Sequence, residues 1–233
     1  MAPGYDRIAC EYYRQRHVTS RNFDSATKAF LAAHPLPIPS HGSVLDLGCG
    51  RGQATRYCRI ASDRIVQCDI SKEMLVLQPR EASRQQTQCD ARQLPFADGE
   101  FSAVLAFLFD AFNTLAAYRE IARVLAHDGL FAGTIPHYTW GSTLRRLRKC
   151  PQDKTRFVTA DGEVFETDSF LTDDERTQEL LSEGGLTPVE MIDLCLPTTS
   201  RHLSPDILDV AKALNMRPHE LPIVKLILAR RLS

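Results

Sequence analysis

The stretch SVLDLGCGRG, residues 43–52, decides the fold of this chain. The apolar run Ser43–Leu47 has the length and composition of a buried strand, and it ends at three glycines spaced two apart, Gly48, Gly50 and Gly52. Because glycine carries no side chain, such a turn lets backbone N–H groups approach a ligand closely. The stretch therefore predicts a strand–turn–helix unit with a ligand at the carboxyl end of the strand.

Short apolar runs continue to alternate with helical patterns after this stretch, which predicts a parallel sheet wound with helices. Further strands are expected at Ile65–Asp69, 86–90, 103–107 and 130–134. Helices are expected over about 51–61, 71–83 and 113–126, the last ended by Gly129 after a short turn. An N-terminal helical extension over about 5–34 precedes them, and the prolines of HPLPIPSHG separate it from the sheet.

The pattern changes after the fifth strand. The pair Asp161-Gly162 lies between two strand-like runs in RFVTADGEVFETDSF and predicts a hairpin. A helix is expected in TDDERTQELLSEGG, with Thr172 as its N-cap and Glu175 completing a capping box. The last two strands are expected in TPVEMIDL and IVKLILARR, with a helix capped by Ser204 between them. The hairpin and this last helix are additional to a plain seven-stranded sheet, so we expect them to act as lids.

Composition restricts the class of protein. The 233 residues carry a formal net charge of −1 and 43% of them are hydrophobic, which is typical of a globular protein without the basic surface of a nucleic-acid binder. No apolar stretch reaches the ~20 residues of a membrane span, and the charged N-terminus does not resemble a secretory signal. We therefore expect a cytoplasmic protein with no membrane partner and no clear nucleic-acid partner.

The seven cysteines are odd in number and include no C-x-x-C pair. In a cytoplasmic protein this pattern predicts reduced thiols. The same spacing argues against a zinc site, and no metal is expected.

The glycine turn does not fit the two commonest nucleotide motifs. A dinucleotide site with G-x-G-x-x-G would need glycine where Gln53 stands, and no G-K-[ST] follows as in a phosphate-binding P-loop. Asp46, two residues before the turn, would also repel a pyrophosphate. An acid beside a close-approach turn instead favours a ligand with an ammonium group and no phosphate, such as S-adenosylmethionine (AdoMet).

VLDLGCGRG resembles the glycine-rich motif of class I AdoMet-dependent methyltransferases. The resemblance continues through VQCDISKEML, CDARQLPFADGEFSAVL and AAYREIARVLAHDGLF, which follow in the family's order over about 43–134, more than a third of the chain. It implies an α/β, Rossmann-like fold: a seven-stranded, mostly parallel sheet with helices on both faces, an N-terminal helical extension, and lid-like insertions after the fifth and sixth strands. We expect a single domain, with an N-terminal helical cap at 1–42, a cofactor-binding core at 43–136, and a substrate lid with the C-terminal strands at 137–233.

The residues expected to bind AdoMet follow the same segments. Asp69 ends the second strand, where a carboxylate can accept both ribose hydroxyls. The resemblance implies that Asp90 accepts from the adenine amine, although a turn cap is the alternative, and that Met74 lies beside the adenine, although it is equally well placed for the core. The full set is Tyr5, Tyr12, Asp46, Gly48, Cys49, Gly50, Asp69, Ile70, Met74, Asp90, Ala91 and Phe107. For the two tyrosines, plain aromatic packing of the N-terminal helix is the alternative.

Catalytic groups are expected near the ends of the fourth and fifth strands. LFDAFNTL follows the fourth strand and is nearer to relatives with an Asp…Asn pair than to those with a histidine there, which selects Asp110 and Asn113. His137 follows the fifth strand and has the pKa range of a general base. Helix capping for the first two and a structural role for His137 are the alternatives. The basic run 145–149, RRLRK, is either a solvated helix face or a site for an acidic substrate or RNA.

The sequence thus favours a transferase that methylates an O, N or C nucleophile of a small molecule with AdoMet. An RNA or protein methyltransferase is one alternative, and an AdoMet-binding regulator without catalysis is another. The acceptor and the oligomeric state are not indicated by the sequence.

Overall fold

The computed structural model describes residues 3–13, 17–79, 83–159 and 161–231. Nine strands and eight α-helices occur in them. In chain order the elements are α1 (Pro3–Tyr13), α2 (Val18–Ala33), β1 (Ser43–Leu47), α3 (Gln53–Cys58), β2 (Ile65–Asp69), α4 (Lys72–Leu77), β3 (Gln85–Gln88), β4 (Phe101–Phe107), α5 (Leu115–Val124), β5 (Leu125–Pro136), α6 (Tyr138–Arg148), β6 (Lys154–Val158), β7 (Val164–Asp168), α7 (Asp174–Glu183), β8 (Leu186–Cys195), α8 (Pro205–Ala213) and β9 (Pro222–Arg231).

Seven of the strands form one sheet in the order β3-β2-β1-β4-β5-β9-β8. The first five are parallel, whereas β9 is antiparallel to both of its neighbours. The order reverses at β1, so the ends of β1 and β4 diverge there and leave a crevice at the carboxyl edge of the sheet, where open α/β sheets bind ligands. The α/β fold expected from the sequence is confirmed.

Two apolar layers cover the sheet, one on each face. Alternate residues of the central strands point to opposite faces: Leu45 and Val104 pack with α5 and α7, while Val44 and Leu105 pack with α2 and α8. Helices therefore lie on both faces. Among the described helices, none has the length and apolarity that a membrane span requires.

The insertions lie where the pattern changed. α6 and the β6–β7 hairpin follow β5, and α8 follows β8, the sixth sheet strand along the chain. The hairpin packs on α1 through an edge-on contact between the rings of Tyr5 and Phe157, 6.3 Å apart. The helical extension is two helices, α1 and α2, separated by a segment that includes residues 14–16, which lie outside the described residues.

Several helix boundaries differ from the prediction. α7 begins one residue later than expected, because the side chain of Asp173, not Thr172, accepts the N–H of Arg176. α5 begins after Thr114 and ends at Val124, so Gly129 does not end it; Leu125 already pairs with β4. α3 and α4 are shorter than expected, and positions 80–82 of the predicted helix 71–83 lie outside the described residues.

Cys68 and Cys89 are disulfide-bonded, with Cα atoms 6.0 Å apart, so the expectation of reduced thiols is wrong for this pair. Parallel pairing of β2 with β3 brings the two positions side by side, which their spacing of 21 residues does not reveal. The other five cysteines are free.

Candidate functional site

The glycine turn leaves a patch of backbone open. Gly48 and Gly50 have φ angles of 63° and 47°, in the left-handed region that favours glycine. A Cβ at Gly48 would meet no protein atom within 4 Å, so the space beside it is not filled by the chain itself. Gly52 differs, because a Cβ there would meet the side chain of Gln78 at 3.1 Å. The first two glycines thus serve an open space, and the third serves packing.

Asp69 lies against this turn at the end of β2. One carboxylate oxygen accepts the backbone N–H of Gly50 and the other accepts that of Ser71, both at 2.8 Å. The side chain is buried, and burial raises the pKa of this carboxyl while the two N–H donors oppose the rise. Each oxygen has a second lone pair, so the carboxylate retains the capacity to accept hydroxyl donors.

A narrow cavity of about 80 Å³ runs past the turn and Asp69. Nine of the predicted residues line it: Tyr5, Tyr12, Gly48, Gly50, Asp69, Ile70, Met74, Ala91 and Phe107. Sequence reasoning missed other lining residues: Leu47, Gln53, Cys89, Leu108, Phe109, Ala111 and Phe112. Most of these are apolar residues next to a motif position. This adjacency was the only feature of the sequence that could have identified them as lining residues.

The structure does not bring Asp46 to the cavity. Its side chain is buried on the other side of β1 and accepts the hydroxyl of Thr55 at 2.7 Å, which ties α3 to the strand. Burial raises the pKa of Asp46 to about 7, with the Thr55 hydrogen bond opposing the rise. In this geometry Asp46 positions the turn, whereas the sequence led us to expect it to face a ligand ammonium.

Asp90 and Cys49 also lie outside the cavity lining. Asp90 forms an ion pair with Arg92, with 2.6 Å between Nη2 and Oδ2, and accepts the backbone N–H of the same residue at 2.9 Å. This is the geometry of a turn cap, which was the alternative role for Asp90. The ion pair lowers the pKa of Asp90. Cys49 is buried beneath the turn, and burial raises the pKa of its thiol.

The N-terminal helices are held over this site by two acids. Asp6 of α1 accepts the hydroxyl of Ser71 at 2.5 Å, and Asp24 of α2 pairs with Arg51 of the glycine turn at 3.2 Å. Tyr5 and Tyr12 of α1 thereby line the cavity, and burial raises the pKa of both phenols, so they remain protonated at neutral pH.

A second, larger cavity of about 490 Å³ adjoins the first. Tyr5, Tyr12 and Leu108 line both. Leu108, which follows β4, has a φ of 55°, a costly conformation for a leucine. Its backbone N–H donates to the hydroxyl of Thr134 at 2.8 Å, which holds the strained residue at the junction.

Asp110 lies in the wall of the second cavity. Ser169 donates its hydroxyl to the buried Asp110 carboxylate, and the guanidinium of Arg145 lies nearby. Burial raises the pKa of Asp110, and both neighbours oppose the rise. Of the three predicted catalytic residues, this is the one that reaches a cavity.

Asn113 and His137 do not line either cavity. The Asn113 amide donates to the carbonyl of Phe170 at 2.8 Å and accepts the hydroxyl of Tyr118 at 2.7 Å, so it joins α5 to the segment before α7. Asn113 is also not the cap of α5, since Thr114 fills that role. His137 Nε2 lies 3.3 Å from the carboxylate of Asp193 on β8, and burial lowers the pKa of His137. His137 thus has the structural environment that was its alternative, whereas Asn113 links two segments and does not cap a helix.

The remaining wall of the second cavity comes from the segments expected as the N-terminal cap and the substrate lid. His17, before α2, and Phe157 of the hairpin line it, with rings 6.1 Å apart. Trp140 of α6 lines it as well, whereas Tyr138 is exposed. Within the described ranges, no three His, Cys, Asp or Glu side chains are grouped as metal ligands.

The residues of the first cavity suit AdoMet. Open backbone at Gly48, a buried carboxylate at Asp69 and an apolar wall at Ile70 and Met74 match its amino acid, ribose and adenine parts. The free volume beside them is smaller than the ~300 Å³ or more of a typical ligand site. The larger cavity, which shares the wall of Tyr5 and Tyr12, supplies the additional space.

Comparison with known proteins gives a family match. Residues 45–133 match the model of a methyltransferase domain. An uncharacterized protein of Methanocaldococcus jannaschii is 33% identical over 159 residues, which cover 63% of this chain and 62% of that protein. The malonyl-[acyl-carrier protein] O-methyltransferase of Enterobacter lignolyticus is 30% identical over 58% of this chain and 52% of its own length. The chain therefore spans between about half and five-eighths of these relatives.

A solved structure supports the fold over almost the whole chain. It is the complex between the Haloferax volcanii Trm112 methyltransferase activator and a methyltransferase, with a TM-score of 0.69, 17% identity and coverage of 98% of both chains. At this identity the similarity concerns the fold.

Proposed function

We propose that this chain, whose residues 45–133 match the model of a methyltransferase domain, is a class I AdoMet-dependent methyltransferase that transfers a methyl group from AdoMet to an O, N or C nucleophile of a small molecule. The observation that carries the proposal is the shared wall of the two cavities. The open backbone at Gly48 and the carboxylate of Asp69 lie in the first, and Tyr5, Tyr12 and Leu108 separate them from the second. The proposed donor site thus lies directly beside the proposed acceptor site.

Asp69 would accept the ribose hydroxyls, Ile70 and Met74 would pack on the adenine, and Gly48 would present backbone to the amino acid part. AdoMet, when bound, supplies a methyl group on a cationic sulfur, which is already activated for displacement. The Ala91 backbone, which lines the same cavity, would lie by the adenine edge.

The chain's own task is then to align the acceptor and to exclude water. Leu108 and the two tyrosines form the junction at which an acceptor nucleophile would meet the methyl group. The new bond would form between the nucleophile and the methyl carbon, while the electrons of the carbon–sulfur bond leave with sulfur. Because Tyr5 and Tyr12 remain protonated, they would contribute shape and hydrogen-bond donors and would not act as bases.

Asp110 is the carboxylate of the acceptor cavity, and we assign it to orienting the acceptor or to accepting its proton. If the nucleophile carries a proton at neutral pH, the ionised form of Asp110 is required. The raised pKa of Asp110 then predicts that activity increases as pH rises through that value.

Transfer of a labelled methyl group tests the proposal. The protein is incubated with methyl-tritiated AdoMet and, separately, with a small-metabolite extract, total RNA or a protein fraction. Label in the small-metabolite arm supports the proposal, and label confined to RNA or protein contradicts the small-molecule acceptor. AdoMet binding without transfer in any arm would favour the regulator.

A further inference from the structure

The second cavity carries more positive than negative charge. Among the described residues that line it, four side chains are cationic and two are carboxylates. The cations are Arg145, Arg148, Lys154 and Arg156, and the acids are Asp110 and Asp206. The lining therefore has an excess of two positive charges, although the chain as a whole has a formal net charge of −1.

Arg145 is committed to the protein. It is buried, and its guanidinium donates to the carbonyl and hydroxyl oxygens of Ser169, at 3.0 and 2.6 Å, and to the carbonyl of Gln152. Arg145 also interacts electrostatically with Asp110, and both side chains hydrogen-bond to Ser169. The excess charge comes from the other three cations.

These three side chains come from the end of α6 and from one face of β6. Lys154 and Arg156 are two residues apart on the strand, so their side chains point to the same side. Arg148 is the last residue of α6. All three side chains are more than a third exposed. We call Arg148, Lys154 and Arg156 the basic rim.

The ion pairs of the basic rim do not neutralise it firmly. Lys154 pairs with Asp168, and Arg156 pairs with Glu166 at 3.1 Å. Neither acid lines the cavity, and ion pairs this exposed hold their partners only weakly. They are the cross-strand pairs of the β6–β7 hairpin.

Arg148 is held similarly. Its Nη2 donates to Asp206 at 2.8 Å and to Asp209 at 2.7 Å, and Arg156 also uses only Nη2 for its acid. A guanidinium has five N–H donors, so both arginines can bind an added anion in the cavity without losing these contacts.

The rest of the lining is largely apolar. Phe23 and Trp140 meet edge to face with ring centroids 5.0 Å apart, and Leu144 and Leu171 also line this part of the cavity. A ligand that fills the cavity would therefore place a hydrocarbon part here and a charged group at the basic rim.

We propose that the second cavity binds a small amphipathic acid, with an apolar body against Phe23 and Trp140 and a carboxylate or phosphate at the basic rim. The inference that such an acid is the methyl acceptor rests on the proposed function. The inference that the cavity binds such an acid does not. It also divides the run RRLRK: Arg145 and Arg148 line the cavity, while Arg146 and Lys149 are exposed and outside the lining.

The single tryptophan of the sequence makes the proposal measurable without catalysis. Because Trp140 lines the cavity, its emission reports on a ligand there. The full chain is titrated with four probes of the same chain length: decanoate, decyl phosphate, decanol and decyltrimethylammonium. We expect the better of the two anions to bind about tenfold or more tightly than decanol, and the comparison between the two anions tells a carboxylate site from a phosphate site. Added salt should weaken the anions and leave decanol unchanged.

Substitutions then identify which cationic side chains bind the anionic probes. Arg148→Met and Lys154→Met should each weaken anion binding about threefold, while decanol binding stays constant. Arg146→Met is the matched control on the same helix and should change nothing. Lys154→Met also guards against a folding defect in Arg148→Met, whose ion pairs join α6 to α8.

Equal binding of decanol and both anions, or tighter binding of the ammonium probe, would overturn the proposal, as would anion binding unaffected by both variants. These titrations contain no AdoMet. A failure of AdoMet to bind would contradict the proposed function and would leave the binding of an amphipathic acid in place. A failure of the anions to bind would contradict this inference and would leave the proposed function in place.

Discussion

The carboxylate of Asp69 accepts the backbone N–H of Gly50 at 2.8 Å, across the 19 residues that separate them in the chain. This hydrogen bond joins the end of β2 to the glycine turn after β1 and places an acid and an open backbone surface in one cavity.

Asp69→Ala is expected to weaken AdoMet binding by about 1–3 kcal/mol, because charge-assisted hydrogen bonds to the ribose would be lost. Isothermal titration measures the change. Asp63→Ala, at an exposed acid just before β2, is the control and should bind as the unaltered chain does. Unchanged affinity in Asp69→Ala would refute the ribose assignment.

Gly48→Ala should fold and should lose most of its AdoMet affinity. The added methyl meets no protein atom but enters the open space beside the turn. Alanine at a positive φ costs about 1–2 kcal/mol. Gly162→Ala is the matched control, because Gly162 also has a positive φ and an unobstructed Cβ position but lies in the hairpin turn. Similar AdoMet affinity in the two variants would contradict the close approach.

Thr134→Val keeps the shape of a buried strand residue and removes the acceptor of the Leu108 N–H. We expect the free energy of unfolding to fall by about 1–3 kcal/mol, since a buried donor loses its partner, and methyl transfer to slow as Leu108 shifts at the junction. Chemical denaturation and the turnover rate measure the two effects. Thr187→Val, at an exposed position of β8, should show neither. An unchanged turnover rate in Thr134→Val would show that the position of Leu108 does not align the acceptor.

Asp46 should make stability depend on pH. Its pKa rises from an ordinary 3.8 to about 7 in the folded chain because of burial. Between these values the folded state holds a proton that the unfolded state has released, so this residue's contribution to stability falls as pH rises through the window. The slope is at most about 1.4 kcal/mol per pH unit.

Urea unfolding of the unaltered chain and of Asp46→Asn across this window isolates the effect. The difference in unfolding free energy between the two should shift in favour of the variant as pH rises from about 4 to about 7. A difference that does not vary with pH would show that the acid is already ionised throughout.

Strand positions followed directly from the sequence where apolar runs are bounded by clear breakers. β1 and β2 begin and end as predicted, because Gly48 stops the first and Asp69 ends the apolar run of the second. Helix starts were harder. Thr172 and Asp173 are both good caps, and the structure uses Asp173 because the Thr172 hydroxyl is engaged by Asn113.

Within the candidate site, backbone features were predictable and side-chain directions were not. Gly48 and Asp69 depend on strand ends, which the sequence marks. The directions of Asp46 and His137 depend on Thr55 and Asp193, partners that no local pattern identifies, whereas Asp90 contacts the nearby Arg92 as its turn-cap alternative predicted.

The second cavity was not predictable because it forms between distant segments. Its wall joins α1 to the β6–β7 hairpin through Tyr5 and Phe157, which are 152 positions apart in the sequence. The sequence of each segment taken alone predicts an amphipathic helix or a surface hairpin. It does not predict which residues of the two segments share a cavity.

The most direct test of the central claim is isothermal titration of the full chain with AdoMet and, separately, with NAD. The account predicts one AdoMet per chain, bound with about micromolar affinity, and no heat of binding with NAD. Binding of NAD in place of AdoMet, or of neither, would contradict the assignment of the glycine turn and Asp69 to AdoMet.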